Sequence, residues 1–457
     1  VRVSTLVLRL VLLAFAAMLS TPPLPGAPAL DGKDVTDRTL DNGLHVIVKS
    51  EPATDLVAVG LYVRAGSITE QEWPDGISRF VNELVFDGPK ESKAAKIREQ
   101  LESLGGRLTS GVTRDFTHAH MAVASPYLQR ALEMLAELVG ARTFAPTVVS
   151  DVRQALVRQL RDVENSATAI ELRMMNLLWG LAFERHPYGK VLGGTAESIG
   201  RITPADASQY YARFYVPNNM SLIVVGDATP GEVAAAAAGT LGRLPRKDIR
   251  WRQPAPEPPQ TSLRTATIPI PAQRHAFMMA FHGPGIGTHD KRDVCTMDVI
   301  YTILGQGERG RLIRALREEK QLAVAAAVEF VTRRDPGLFV VTCVAAEDQE
   351  LAARRAVLEA LRRIIEEPLK PDELAAAKKL LRDAYAFSNE TLMDQTGSMG
   401  FYDCIDTYKF AIEYIAEVNK VTAKDVQRTA RRYLRLDAYT LVTAQPTTTT
   451  DVKKASL

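Results

Sequence analysis

Apolar and polar positions along the chain change period repeatedly, and each change marks an element. Leu44 to Val48 and Ala58 to Val63 read as strands joined by a turn, with Asp41-Asn42-Gly43 as the turn signal before them. Ile77 to Phe86, Ala94 to Leu104, Pro126 to Ala141, Val148 to Val163 and Ala205 to Phe214 carry apolar residues at helical spacing. A strand is predicted over Phe116 to Val123, another over Met220 to Val225, and a helix over Val294 to Leu304. Strands mixed with several helices predict an α+β layer sandwich.

The pattern occurs twice. Pro371-Asp372 opens a helix ending in Leu381-Arg382-Asp383, as Asp151 opens one ending in Leu160-Arg161-Asp162, an offset of 221 residues. Val421 to Asp425, Arg432-Tyr433 and Leu441-Val442 mirror Ile202 to Asp206, Arg213-Phe214 and Leu222-Ile223 at an offset of 219. Two separated matches at nearly one offset indicate a duplicated domain. Between the copies, Gln253 to Gln260 is too rich in proline for a helix and reads as an extended connector. The predicted organisation is residues 30–246 as a first domain, 247–262 as a proline-rich linker and 263–457 as a second, homologous domain.

Residues 1–29 read differently. Arg2 and Arg9 precede an apolar run from Leu10 to Leu19, then Thr21-Pro22-Pro23 and the small residues Ala27 and Ala29. That is the layout of a cleaved secretory signal peptide, and the run is shorter than the ~20 residues of a membrane span. No later segment is long enough to span either, so no membrane span is expected after cleavage. Without residues 1–29 the 56 Lys+Arg become 54 against 54 Asp+Glu. A formally neutral chain lacks the basic excess of a nucleic-acid binder. Cys295, Cys343 and Cys404 suggest neither a disulfide framework nor a cysteine zinc site, though one disulfide between two of them would suit an oxidising compartment.

The run Gly76-Ile-Ser-Arg79-Phe-Val-Asn82-Glu83-Leu-Val-Phe86-Asp-Gly88 resembles the segment in which the pitrilysin/insulinase family, with its mitochondrial-processing-peptidase-like members, carries an inverted zinc motif, His-x-x-Glu-His. On a helix, positions i and i+4 share a face and aim two imidazoles at one ion, while the Glu between them reaches the bound water. Aligning Phe86 and Gly88 with the family's Phe-x-Gly puts Arg79 and Glu83 at the histidine positions and Asn82 at the general base. The family's third ligand, a downstream Glu, falls on Gln159, or on Arg158 with a slip of one residue. The resemblance continues through His186-Pro-Tyr-Gly189, Gly193-Gly194 and Pro217 to Asp227. It implies two homologous α/β sandwich domains facing each other across a cleft, with all four functional positions replaced. It further implies no metal or other cofactor here, zinc being expected only in a partner.

In the second half, Leu304-Gly305-Gln-Gly307-Glu-Arg-Gly310 resembles the family's glycine-rich turn, making Gly305 and Gly307 candidate substrate-binding residues. Its G-x-G-x-x-G spacing is no dinucleotide site, because a helix rather than a strand precedes it. Arg317 matches the family's substrate-orienting Arg, read otherwise as a surface residue on a charged helix, while the Tyr seven residues on is Val324, which has no hydroxyl for a developing oxyanion. His118 and His120 share one strand face, which makes them the only plausible metal pair in the sequence, but without an acidic third residue nearby they read rather as ordinary polar positions. His186 reads as a structural hydrogen-bonder, and Arg79 with Glu83, one turn apart, as an ion pair across the vacated site, read otherwise as two solvated side chains. The strand after Gly105-Gly106, taken as the histidine strand, would line the cleft where peptide adds as a further strand. With these departures, the resemblance implies a non-catalytic partner of a zinc-bearing homologous peptidase subunit, acting on peptides, and with the signal peptide it implies the periplasm. The competing reading is a peptide-binding scaffold that works without one.

Overall fold

The computed structural model of the chain describes residues 30–140, 143–164, 166, 170–249, 251–270, 275–287, 291–306, 310–346 and 348–446. The expected signal peptide and Gly307 lie outside them. No helix among the described residues is long and apolar enough to cross a membrane.

Two sheets carry the fold. In the first half β1 (Val35–Thr39), β2 (His45–Ser50), β3 (Leu56–Val63), β4 (Arg107–Val112), β5 (Thr117–Ala124) and β6 (Met220–Gly226) lie in the order β1-β2-β6-β3-β5-β4. In the second half β7 (Arg264–Ile270), β8 (Ala276–His282), β9 (Ala323–Phe330), β10 (Leu338–Ala345) and β11 (Thr440–Pro446) lie in the order β7-β11-β8-β10-β9. Without β1 the two orders coincide strand for strand. The parallel pairs correspond as well, β2 with β6 and β7 with β11.

The helices of the first half are α1 (Ile77–Asn82), α2 (Lys93–Ser103), α3 (Leu128–Val139), α4 (Pro146–Glu164), α5 (Ile170–Ala182), α6 (Ala196–Arg201), α7 (Pro204–Phe214) and α8 (Pro230–Gly239). Those of the second are α9 (Lys291–Gly305), α10 (Arg311–Arg314), α11 (Glu350–Glu366), α12 (Pro371–Phe387), α13 (Leu392–Ile405), α14 (Lys409–Asn419) and α15 (Ala423–Tyr433). The second sequence match has a local cause. Thr203 caps α7 by accepting from the Asp206 N–H at 3.1 Å, while Asp206 accepts from the Thr203 N–H at 2.8 Å. Thr422 and Asp425 make the same capping box on α15, at 3.2 and 2.9 Å.

Each half covers the other's sheet. From α5, Met174, Leu178 and Trp179 join Met278, Ala280, Val340 and Val442 of the second sheet in one apolar cluster. Full burial of a side chain such as Leu178 contributes about 2 kcal/mol. In return α13 lies on β3 and β6 of the first sheet. It lies so close that a Cβ on Gly400 would overlap the Tyr62 ring, whose hydroxyl donates to the Thr396 carbonyl at 3.0 Å. The halves therefore meet through exchanged helices.

Polar clusters rim this junction. The Asp403 carboxylate of α13 accepts from Arg64 at 2.7 Å, from Ser221 at 2.5 Å and meets His45 Nδ1 at 3.2 Å, while the other nitrogen of His45 faces Asp37 at 3.2 Å. His186 accepts the Tyr188 N–H on Nδ1, so its Nε2 carries the proton and donates to Asp335 of the second half at 3.1 Å. The connector is tied down: the Glu257 carboxylate accepts from the backbone N–H groups of Glu184, Arg185 and His186 at 2.8 to 2.9 Å. Cys295, Cys343 and Cys404 are buried free thiols.

Candidate vacated zinc site

The segment that resembles the zinc motif is held from its N-terminal end. Glu70 is fully buried and accepts from the Gly76 N–H at 2.8 Å, the Ser78 N–H at 3.1 Å and the Ser78 hydroxyl. A carboxylate there satisfies donors that the first helical turn leaves unpaired. Burial pushes the Glu70 carboxyl above its ordinary value, opposed by these bonds. Sequence reasoning missed this residue, because six positions ahead of Gly76 lies outside the usual capping spacings.

The single helix predicted over Ile77 to Phe86 is two pieces. It is α-helical only to Asn82, and Glu83–Asp87 forms a π-helical turn. Such turns close an i to i+5 bond, here from the Gly88 N–H to the Glu83 carbonyl. A hydrogen-bond chain runs along the inner side: Asn82 Nδ2 donates to Ser110 Oγ at 3.0 Å, and Ser110 donates to Asp87 at 3.0 Å. Asp87 in turn pairs with Arg98. Asn82 is buried, and its Oδ1 has no partner.

The expected pair between Arg79 and Glu83 does not form. Arg79 Nη2 instead donates to the Oε1 of Gln159 on α4 at 2.8 Å, and no ion pair joins Arg79 to Glu83 among the described residues. The amide carbonyl of Gln159 is the acceptor within reach of the guanidinium; Glu83 is not. Burial, then the charge of Asp87, raises the Glu83 pKa, with Arg79 opposing. The residue facing Arg79 is Gln159 rather than Arg158.

These residues do not fit a zinc ion. Where the resemblance would put one ligand stands a permanent cation, Arg79, bonded to Gln159, where it would put the third. Glu83 alone offers an anionic oxygen, against the three protein ligands of a catalytic zinc site. The general-base position holds an amide, which takes no proton at neutral pH.

The second-half candidates lie apart from this arrangement in kind. A Cβ on Gly305 would overlap Val328 of β9, so this glycine lets the end of α9 touch the sheet. Arg317 sits exposed on a π-helical turn, Ala315–Glu319, without a hydrogen bond or ion pair among the described residues. Val324 is 48% exposed on β9, an edge strand. The strand that follows Gly105-Gly106 is β4, the other sheet's edge; the histidine strand β5 is its inner neighbour.

The fold and the helix-borne motif frame define a two-domain, peptidase-like protein. The family models described as "Insulinase (Peptidase family M16)" and "Peptidase M16 inactive domain" match residues 45–196 and 201–381. The chain belongs to this insulinase, or M16, peptidase family. It is 21% identical over 409 residues to an uncharacterized zinc protease, YmxG, of Bacillus subtilis, covering 89% of this chain and 97% of that one. A protease from Helicobacter pylori superposes with a TM-score of 0.83 at 22% identity, over 90% of this chain and 99% of that one. A Pseudomonas fluorescens structure described as a peptidase M16 inactive domain gives 0.79 at 21% identity, over 91% and 98%.

Proposed function

We propose that this M16 homologue is a non-catalytic subunit that helps a zinc-bearing homologue bind and position peptides, after export to the periplasm. The observation that carries the reading is the Arg79–Gln159 hydrogen bond, which closes a metal position with a cation and an amide. Peptide handling needs no metal. Among the described residues β4 and β9 are edge strands, and an extended peptide pairs with such an edge through main-chain hydrogen bonds. The export step rests on the sequence of residues 1–29.

The test is co-expression of the mature chain with a homologue from the same genome that retains His-x-x-Glu-His. A stable pair that cleaves peptide faster than the zinc-bearing chain alone, with the gain abolished by a chelator, is the expected result. Peptide binding by this chain without any such pair would favour the stand-alone scaffold. Chelator-sensitive cleavage by this chain alone, lost in Glu83→Ala, would refute the non-catalytic reading.

A further inference from the structure

Away from the motif, the inner strand β5 carries two imidazoles whose partners are incomplete. His118 and His120 stand two apart on one face, their ring centroids 4.8 Å apart. The bonds around Tyr62 fix one tautomer. Its hydroxyl proton goes to the carbonyl of Thr396, which can only accept, at 3.0 Å. The 2.6 Å contact between His120 Nε2 and the Tyr62 oxygen is therefore donated by the histidine. His120 Nδ1 is left with its lone pair and no protein partner among the described residues, and His120 lines a depression with Met393, Ser398 and Phe401. His118 Nδ1 is shielded from solvent and likewise has no partner.

From this geometry we infer that His118 and His120 form a two-nitrogen site for a borderline divalent metal ion of the copper and zinc class, separate from the inherited motif. Imidazole pairs suit that class, and copper(II) binds such donors most tightly. A metal about 2.0–2.1 Å from each nitrogen lies about 3.2 Å from each ring centre, so rings held as these are would subtend roughly 100° at the ion. That angle falls within tetrahedral and tetragonal coordination. Tyr62 supplies the second hydrogen bond that orients a metal-binding histidine, and Gly111 on β4 leaves room for the His118 ring, since a Cβ there would come within 2.8 Å of it. Burial keeps both imidazoles below their ordinary pKa, His120 at about 3, so no proton has to leave at neutral pH. No group of three His, Cys, Asp or Glu residues that could hold a metal occurs among the described residues, so the site's protein donors are the two imidazoles, with Met393 lining the same depression as His120. Sequence spacing alone left the pair as ordinary polar positions; the fixed tautomer and the partnerless nitrogens change that reading.

The test is copper(II) titration of the tag-free mature chain, followed by calorimetry and electron paramagnetic resonance. One equivalent with coupling to two nitrogens is expected, weakened at least tenfold in His118→Gln and in His120→Gln and unchanged in Glu83→Gln. Tyr62→Phe keeps the ring but not the orienting bond and should weaken binding roughly tenfold. Full affinity in either histidine variant, or binding without nitrogen coupling, an adventitious ion only, overturns the proposal. Loss of binding in Glu83→Gln with the histidines intact would place the metal at the inherited motif, refuting this site and the non-catalytic reading together.

Discussion

Truncating Asp403 to alanine removes one oxygen that three groups of the other half share. The side chain is only 5% exposed, and its loss strips Arg64, Ser221 and His45 of their common acceptor. The fully buried Ser221 hydroxyl, left unpaired, costs roughly 1–3 kcal/mol. Breaking a buried ion pair costs roughly 3–5 kcal/mol, but Arg64 keeps about a quarter of its surface in water, which halves that figure or better. The expected loss is about 3–4 kcal/mol. It depends on pH. The bond to Asp403, opposed by burial, raises the His45 pKa, so this contribution is complete below the ordinary imidazole value near ~6.5 and is lost as pH climbs through the folded value. Burial of Asp403 is outweighed by His45 and Arg64, and the bond from Tyr408 acts the same way on Asp37. Both carboxyls are lowered, so their contribution is complete above about pH 4 and is lost as pH falls through the folded values. The deficit should therefore be largest between about pH 4 and 6.5 and smaller at about pH 9. Urea unfolding of wild type and Asp403→Ala, followed by tryptophan fluorescence at about pH 5.5 and about pH 9, measures it. A deficit below about 1 kcal/mol at the acid end, or an equal one at both, would refute the reasoning.

Three other changes separate the parts of the structure. Glu70→Ala orphans two N–H groups and a hydroxyl at the start of α1 and should cost about 3 kcal/mol in urea unfolding; an unchanged midpoint would show the clamp to be dispensable. Changing Arg79→His, Asn82→Glu, Glu83→His and Gln159→Glu together should raise bound zinc toward one ion per chain by metal analysis, with peptide cleavage still limited by Val324. Arg79→His alone should bind none, and stoichiometric zinc in that single variant would contradict the reading of the site. Glu257→Ala frees three N–H groups under the connector, and proteinase K should then cut within residues 251–261 sooner than in wild type; equal rates would mean that the clamp does not hold it.

What the sequence disclosed was whatever is decided locally. The duplication was readable because its second match is a capping box, which needs only Thr and Asp three residues apart. The replaced motif positions were readable through the resemblance to the family, whose helical motif assigns each position a role in advance. The break at Glu83 was not, since a π-helical turn is stabilised by what surrounds it rather than by its own residues. Nor was the partner of Arg79: spacing along one helix favoured Glu83, and the acceptor came from another helix 80 residues on. Gly305 looked like part of a substrate turn because glycine spacing records permissiveness without saying what approaches. The exchange of α5 and α13 left no periodic trace, since an apolar helix face does not say which sheet it covers.

That exchange makes the chain a fused dimer. Taken alone, each half would turn to water a sheet face that the sister half's helix now shields, so each is an incomplete body that only its twin finishes. The one covalent joint runs outside this embrace, along residues 251–261, and a backbone break there would leave two chains still wound together. Selection on chemistry and selection on architecture consequently fall on different residues. Arg79 and Gln159 bond to each other within the first half, whereas Tyr62, Leu178 and Gly400 are fixed by the twin they press against. A lineage could abandon the first set and keep its fold whole.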